Sequence, residues 1–496
     1  MSIDLSLERI RRLLSHLPPY TRPTCHIAGT NGKGSVSALL SSIFSASSYS
    51  VGRFNSPHLV SVHDCIALNG EPVSPSMYAV MRRRVEEADR EHATGCSSFE
   101  LLTLTALQVF EQASVDIVVL EVGMGGRLDA TNVVPDECVL ISALTAVDLD
   151  HQAFLGNTVR EIAQEKAAIA KPHKPFVFGP QNPSHSKVVK QVVRERVERV
   201  QGKLFPVILP TKRGCAATLD GHDHFPRLKD ADVVNVLLPL QGEHQLANLG
   251  TAITVVSALL QGTPHELEFP LKITAATVSQ GIQSTRWPGR LSFHTVTPPH
   301  PTTSAPDQRL LVLADGAHNA ASAATLAAFL DEVLEGVTRP LDNENDAPAP
   351  RGRTLTLTYL LALSHSPPKT PAQTLTPLLA HARDVPDPRV RLVTRVGLLE
   401  FSPPEGMPWV RPVPPATIRD AVRGLLPDAE IWTADDPEAS GEEQLGSALA
   451  WAAGRQRADA GAGGRVEGEG VVVIAGSLYL VADFYRMLQR QKMTEV

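Results

Sequence analysis

The sequence predicts an α/β protein of more than one domain, built first on a parallel sheet with helices on both faces. Three observations predict it. Runs such as Asp116–Glu121 (DIVVLE) and Cys138–Leu144 are apolar without polar alternation, as strands buried on both faces are. Segments with helical apolar spacing stand between them. The chain of 496 residues exceeds what one ordinary core fills, so roughly two to four domains are expected.

In chain order, Thr24–Ala28 reads as a short strand running into the turn Gly29-Thr30-Asn31-Gly32-Lys33-Gly34-Ser35. Ser35–Ser45, rich in Ser, Ala and Leu, reads as a helix, as do Phe99–Gln112 and Val159–Ala170, the last closed by Pro172. Asp220–Arg227 is polar and reads as a loop, and His244–Gln261 as a helix. Arg286-Trp287-Pro288-Gly289-Arg290 is a breakpoint that sets domains of 1–289 and 290–496. Leu310–Ala314 opens a second α/β run, with Thr354–Leu363, Arg389–Thr394 and Val471–Ala475 as further strands. Thr297–Pro306, Arg339–Arg353 and Gln456–Gly470 are rich in Pro, Gly, Asp and Ala, and are expected to be disordered insertions.

Composition narrows the class. An apolar fraction of 43% and a charged fraction of 20% are globular values. A net charge of -7 argues against a nucleic-acid partner. The cysteines Cys25, Cys65, Cys96, Cys138 and Cys215 form no C-x-x-C pair, so reduced, buried thiols are expected rather than a metal site or a disulfide framework. No window approaches the ~20 apolar residues that span a bilayer. Met1–Arg12 carries Asp4 and Glu8 and no apolar core, which predicts no secretory signal and a cytoplasmic location. A monomer is expected.

The chemistry gathers at strand ends. Gly29–Ser35 follows a strand and precedes a helix, the context of a phosphate loop, with Lys33 aimed at the β and γ phosphates of ATP and Ser35 at Mg²⁺. Gly34 separates that lysine from that serine, and an ordinary glycine-rich turn is the plainer alternative. Glu121 ends a buried strand, where a carboxylate suits Mg²⁺ or caps a neighbouring helix. The run Gly123-Met124-Gly125-Gly126 follows it. His151, three residues after Asp148, suits a metal ligand, an acid or base, or a structural histidine. Lys166 suits a cation beside the phosphates or a solvated helix residue. Asp315-Gly316-Ala317-His318-Asn319 follows the first strand of the second run and suits either an active site built across a cleft or a capped helix start.

These residues resemble the folylpolyglutamate synthase/dihydrofolate synthase family, part of the Mur ligase group. The matching stretches are His26–Ser35, Phe54–Leu59, Ser97–Leu107, Glu121–Val134, Asp148–Lys171, Asp315–Asn319 and Gly476–Leu480, in order over nearly the whole chain. The resemblance implies a P-loop ATP-binding domain followed by a smaller Rossmann-like domain, with the active site in the cleft between them. It implies that Lys33 and Ser35 hold the ATP phosphates and that Ser56 and Glu121 ligate one Mg²⁺. Glu121 and His151 would ligate a second. Lys166 matches a lysine that is carbamylated in the family, which would make it an anion and a metal ligand. Asn248, Arg290, Asp315 and His318 match nucleotide positions; Phe99, Glu100, Leu128, Asp129 and Ala130 match the pterin-side pocket. The stretch Ser364-His365-Ser366-Pro367-Pro368-Lys369 departs from the Lys/Asp-rich segment of many relatives.

The implied reaction phosphorylates a substrate carboxylate with ATP and then condenses it with the amine of L-glutamate. Ile3–Ile10 and Arg127–Asn132 look most like members acting on 7,8-dihydropteroate to give 7,8-dihydrofolate. Two alternatives stay open: glutamate addition to tetrahydrofolate, or a P-loop NTPase used as a switch or binding module. Small-molecule substrates are expected as partners, with no nucleic acid and no membrane.

Overall fold

The structure, a computed structural model, describes residues 6–213, 222–224, 227–228, 232–233, 236–261, 272–298, 309–338, 353–380, 390–407, 409–436, 439–459 and 469–494. The chain divides into two compact units, Met1–Trp287 and Pro288–Val496.

The first unit holds β1 (Thr24–Ala28), β2 (Val51–Phe54), β3 (Ile66–Leu68), β4 (Glu71–Pro72), β5 (Ile117–Glu121), β6 (Val139–Leu144), β7 (Pro175–Phe178) and β8 (Lys203–Pro206) in one sheet of order β4-β3-β2-β5-β1-β6-β7-β8. From β2 to β8 across that order the pairs are parallel; β3 and β4 turn back as an antiparallel edge. Its helices are α1 (Glu8–Leu14), α2 (Lys33–Ala46), α3 (Pro75–Glu91), α4 (Ser98–Gln112), α5 (Gln152–Leu155), α6 (Val159–Ala167), α7 (Pro183–Arg199), α8 (His244–Gln261) and α9 (Ala275–Gln283). Every residue of β1 and β5 is buried. Successive side chains of a strand point to opposite faces, and both faces are covered here. Val119 packs with Val36, Leu39 and Val256 beneath α2 and α8, whereas Val118 and Leu120 pack with Leu104 and Phe110 of α4. That double burial is why these strands read as unbroken apolar runs.

Some elements differ from expectation. Helix α2 starts at Lys33 rather than Ser35, because Gly32 takes φ 91° as its N-cap and turns the chain into the helix early. Helix α6 ends at Ala167 rather than Ala170, since Pro172 disfavours helical backbone before it. Within the polar stretch read as a loop, His222–His224 is β10, and Arg227 opens β11 (Arg227–Leu228). With β9 (Lys212–Arg213), β12 (Asp232–Val233) and β13 (Val236–Leu238) these form small antiparallel sheets, β13-β10-β9 and β11-β12. In β13 only Val236 and Leu238 are buried, so this is a one-sided sheet in which polar residues do not signal a loop.

The second unit holds β14 (Ser292–Val296), β15 (Leu310–Ala314), β16 (Arg353–Leu361), β17 (Val390–Leu398), β18 (Glu430–Thr433) and β19 (Glu469–Ala475), ordered β14-β15-β19-β16-β17-β18 with only β14 antiparallel. Its helices are α10 (Ala320–Thr338), α11 (Pro371–Leu379), α12 (Pro415–Leu425), α13 (Gly441–Asp459) and α14 (Leu478–Thr494). Leu357, Tyr359, Val396, Leu398 and Val473 form its core with Leu326, Leu375 and Ile418. The expected insertions fall largely outside the described residues. Their ends do not: Arg353 begins β16, Gln456–Asp459 completes α13, and Glu469 and Gly470 begin β19. Gln456 is buried, and Asp459 is held by Arg395, which offsets the ordering entropy that composition alone predicts to win.

Among the described residues, no helix is long and apolar enough to cross a membrane. Cys25, Cys65 and Cys138 are buried free thiols and Cys96 is half-buried; Cys215 lies outside the described residues.

Candidate active site

The turn after β1 is held from the strand beside it. Thr30 N–H donates to Ala146 O (2.7 Å), Thr145 Oγ1 to Asn31 O (2.7 Å), and Thr30 Oγ1 to Asp148 O (3.2 Å). Space is set by two glycines. A Cβ on Gly32 would sit 2.3 Å from Asn248 Oδ1, and one on Gly34 would sit 2.4 Å from Trp287 Cζ2. Helix α2 has no side-chain N-cap and no acid in its first turn. Its opening N–H groups are therefore left for an external anion, with the helix dipole favouring negative charge. Lys33 Nζ donates to Thr30 O (3.2 Å) and lies 3.8 Å from Glu121 Oε1.

Glu121 is buried at the end of β5, and Asn55 Nδ2 donates to its Oε2 (2.6 Å). Asn55 is a contributor that sequence reasoning passed over, although it adjoins Ser56 in a stretch already singled out. The strands β5 and β6 flank β1 on either side, so Glu121 and the loop bearing His151 both leave the carboxyl edge of the sheet next to the turn. Asn31 Nδ2 reaches Asp148 Oδ2 (3.4 Å) in that loop. His151 opens α5 with φ 52°, is about half exposed, and stands 4.0 Å from Asp150.

Lys166 corrects the plainer reading of its helix: it is buried, not solvated, and its Nζ donates to Gly29 O (2.9 Å). Burial, and then the Lys33 charge, pull its pKa to about 7, against the opposing influence of Asp150 and Asp129.

The pterin-side candidates cluster beyond Glu121. The Phe99 ring lies on Gly123, where a Cβ would come within 2.4 Å of Phe99 Cζ. The buried Asp129 carboxylate accepts from Met124 N (2.8 Å), Thr131 N (3.0 Å) and Thr131 Oγ1 (2.5 Å). Asp129 thus fixes the Gly123–Gly126 run, and burial raises its pKa against those hydrogen bonds. Ala130 is buried in the cluster under α4, with Leu128 packed against it. Glu100 closes a capping box on Ser97 N (2.7 Å) and pairs with Arg9 (3.2 Å), so its carboxylate has a structural job.

The second unit gathers Arg290, Asp315 and His318. Asp315, raised by burial and lowered in turn by Arg290, accepts from Leu291 N (2.9 Å) and Ala317 N (2.8 Å). Arg290 Nη1 donates to Gly289 O (2.9 Å) and lies over Gly316. His318 Nδ1 meets Gly316 O (2.9 Å), and Lys369, from the stretch that departs from the relatives, reaches His318 O (3.3 Å).

The residues present fit ATP and Mg²⁺. Mg²⁺ takes few carboxylates together with phosphate oxygens and water, and Glu121 offers one carboxylate beside the turn. The hydroxyls of Ser35 and Ser56 are bound to no protein acceptor among the described residues.

Comparison with known proteins agrees with this geometry. Residues 27–256 match the family described as Mur ligase middle domain, and residues 300–487 match the dihydrofolate synthetase C-terminal domain. The chain is 33% identical to the dihydrofolate synthetase of Saccharomyces cerevisiae, covering 98% of each. It is 29% identical to a probable dihydrofolate synthetase of Schizosaccharomyces pombe, covering 99% of each. Among solved structures, Mycobacterium tuberculosis folylpolyglutamate synthase complexed with ADP aligns with a TM-score of 0.71 at 27% identity, over 98% of this chain and 95% of that one. Escherichia coli FolC in complex with DHPP and ADP aligns at 0.66 and 25%, over 99% and 95%. The chain belongs to the folylpolyglutamate synthase/dihydrofolate synthase family of Mur ligases.

Proposed function

We propose that the chain is a dihydrofolate synthase, joining L-glutamate to 7,8-dihydropteroate with ATP to give 7,8-dihydrofolate, ADP and phosphate. The observation that carries the ATP chemistry is the buried Lys33–Glu121 pair at the uncapped start of α2. The full-length likeness to curated dihydrofolate synthetases favours dihydropteroate as the acceptor.

The chain's own groups then have defined tasks. The α2 amides and Lys33 bind the nucleotide phosphates and offset the charge that builds as the substrate carboxylate oxygen attacks the γ-phosphorus. Glu121 with Ser56 would hold one Mg²⁺, and Glu121, His151 and a carbamylated Lys166 a second. When bound, the metal supplies Lewis-acid neutralisation of phosphate oxygens. Lys166 suits carbamylation because its amine is about half neutral near pH 7. The neutral nitrogen adds to CO₂, a proton leaves, and a cation beside Lys33 becomes an anion. Asn248, beside Gly32 of the turn, serves the nucleotide, and Phe99, Leu128 and Ala130 face the pterin. The enzyme works as a cytoplasmic monomer on small-molecule substrates.

An ADP-release assay tests this. ADP should form only with dihydropteroate and glutamate both present. Turnover with tetrahydrofolate but not dihydropteroate would make it a folylpolyglutamate synthase, and hydrolysis needing no amine would point to an NTPase switch.

A further inference from the structure

Arg53 is a half-buried cation, its Nε shut off from solvent, that the reaction as described does not use. It is the third residue of β2, paired in register with Val119 of β5, two residues before Glu121. Residues two apart on a strand share a face. Val51 and Val119 both belong to the apolar cluster beneath α2, so Arg53 projects to the same α2-covered face of the sheet. There its guanidinium lies 5.1 Å from the centre of the Trp287 ring, and that ring lies against Gly34 in the first turn of α2. The indole face steadies the cation but accepts none of its N–H groups in plane. Nε is buried with no hydrogen-bond partner, and the Arg53 side chain makes no ion pair or hydrogen bond among the described residues. Glu121 favours its charge without touching it, while burial opposes that charge. A guanidinium N–H shut off from water is ordinarily paired, and the planar fork fits an oxyanion.

We propose that Arg53 completes the phosphate site, donating to an oxygen of the terminal phosphoryl group. Its place beside the uncapped first turn of α2, where anions collect, selects a phosphate oxygen over the reacting carboxylate. The contact serves the γ-phosphate of bound ATP and persists as the phosphoryl group passes to the substrate. The carboxylate oxygen forms the new O–P bond, the bond to the bridging oxygen breaks, and that electron pair leaves with ADP. Trp287 is a positioning residue that holds the fork over Gly34.

This inference rests on the proposed ATP site, and one experiment separates their failures. Binding of ADP and of β,γ-methylene-ATP, each with Mg²⁺, is measured by calorimetry for the wild type, Arg53→Met and Arg53→Lys. A wild type that binds neither nucleotide sinks the ATP site itself. With that site intact, Arg53→Met should weaken the analogue about tenfold or more and ADP by less than about twofold, with Arg53→Lys recovering much of the loss. Added guanidinium ion should restore part of the ADP-release turnover of Arg53→Met, a rescue that a purely packing role would not permit. Equal weakening of both nucleotides overturns the assignment. So does unchanged binding of both, or a rise confined to the KM for dihydropteroate.

Discussion

Two buried charge clusters, one in each unit, are built on opposite principles. In the second unit Arg395 is forked onto Asp459 (2.5 and 2.9 Å) and bonded to Glu430 (2.9 Å), Arg455 also pairs with Glu430, and Thr356 Oγ1 donates to Asp459 (2.8 Å). The charges satisfy one another: hydrogen bonding to Asp459 raises the Arg395 pKa, and hydrogen bonding to Arg395 lowers that of Asp459. In the first unit Lys33 stands 3.8 Å from Glu121, Arg53 feels the Glu121 charge, and Lys166 lies among Lys33, Asp150 and Asp129. Lys166 is driven toward neutrality and Arg53 has no partner. A cluster that closes on itself is architecture, whereas one in which Lys33 stands 3.8 Å from its carboxylate, short of a hydrogen bond, leaves room for an anion.

The largest expected effect breaks the first cluster. Lys33→Ala should lower ADP-release turnover by roughly a thousandfold, on the order of 4 kcal/mol of transition-state stabilisation. Thermal unfolding should change far less than turnover, because Asn55 still donates to the buried Glu121. Full turnover in this variant would remove the basis of the site. The matching break in the second cluster has the reverse signature. Asp459→Ala removes two of the hydrogen bonds to Arg395, leaves it on Glu430, and should destabilise the protein by about 1–2 kcal/mol in a urea titration, with ADP binding intact at low temperature. Loss of ADP binding without loss of stability would show that the two clusters are not separable in this way.

The pH slopes of the clusters should share a sign and differ in window, acidic for Asp459 and above neutrality for Lys166. Asp459 has a folded pKa below its unfolded value, so its contribution is present above the unfolded value and is lost as pH falls through the folded one. Lys166 has a folded pKa of about 7 against an ordinary 10.5. Between those values the folded state binds fewer protons than the unfolded state, so stability rises with pH across that window. Comparing wild type with Lys166→Met in CO₂-free buffer checks this: the variant should lose the rise. Adding bicarbonate to the wild type should raise activity, more at pH 8 than at pH 6, as the neutral amine fraction grows from roughly a tenth to roughly nine tenths.

How much of this was legible in the sequence follows from what each residue depends on. The strands β1, β5 and β6 and the turn after β1 depend on local pattern, and their apolar runs and glycines declare them. The start of α2 depends on the φ of one residue, Gly32, and the apolar pattern puts it two residues late. Lys166 carries a solvated pattern because one lysine on a helix does not reveal how deeply it is packed. Arg53, Trp287 and Asn55 become site residues only when β2, the end of the first unit and the end of β5 meet around α2. No spacing along the chain encodes that meeting, although Asn55 lies beside a flagged serine. Gln456 and Asp459 were assigned to an insertion by composition, and a partner more than sixty residues upstream in sequence, Arg395, orders the latter.

The smallest expected effect tests whether the first unit's polar chemistry extends to a neutral chain beneath the glycine run. His26 is fully buried in β1, and burial, then Lys171, push its pKa down to about 3. Its Nε2 lies 2.9 Å from Thr131 Oγ1, which itself gives its proton to Asp129 at 2.5 Å. A hydroxyl with one proton cannot donate twice, so His26 must be the Nε2–H tautomer donating to Thr131. The relay from His26 through Thr131 to Asp129 thereby orients the carboxylate that holds Met124 N. His26→Ala should raise the KM for dihydropteroate a few-fold, on the order of 1 kcal/mol for one lost hydrogen bond, and leave ADP affinity unchanged. Because His26 is neutral at every working pH, the pH–rate profile above pH 5 should keep its shape. A shifted acidic limb in the variant would mean that this histidine titrates during turnover, and the distinction between a charged phosphate side and an uncharged pterin side would then fail.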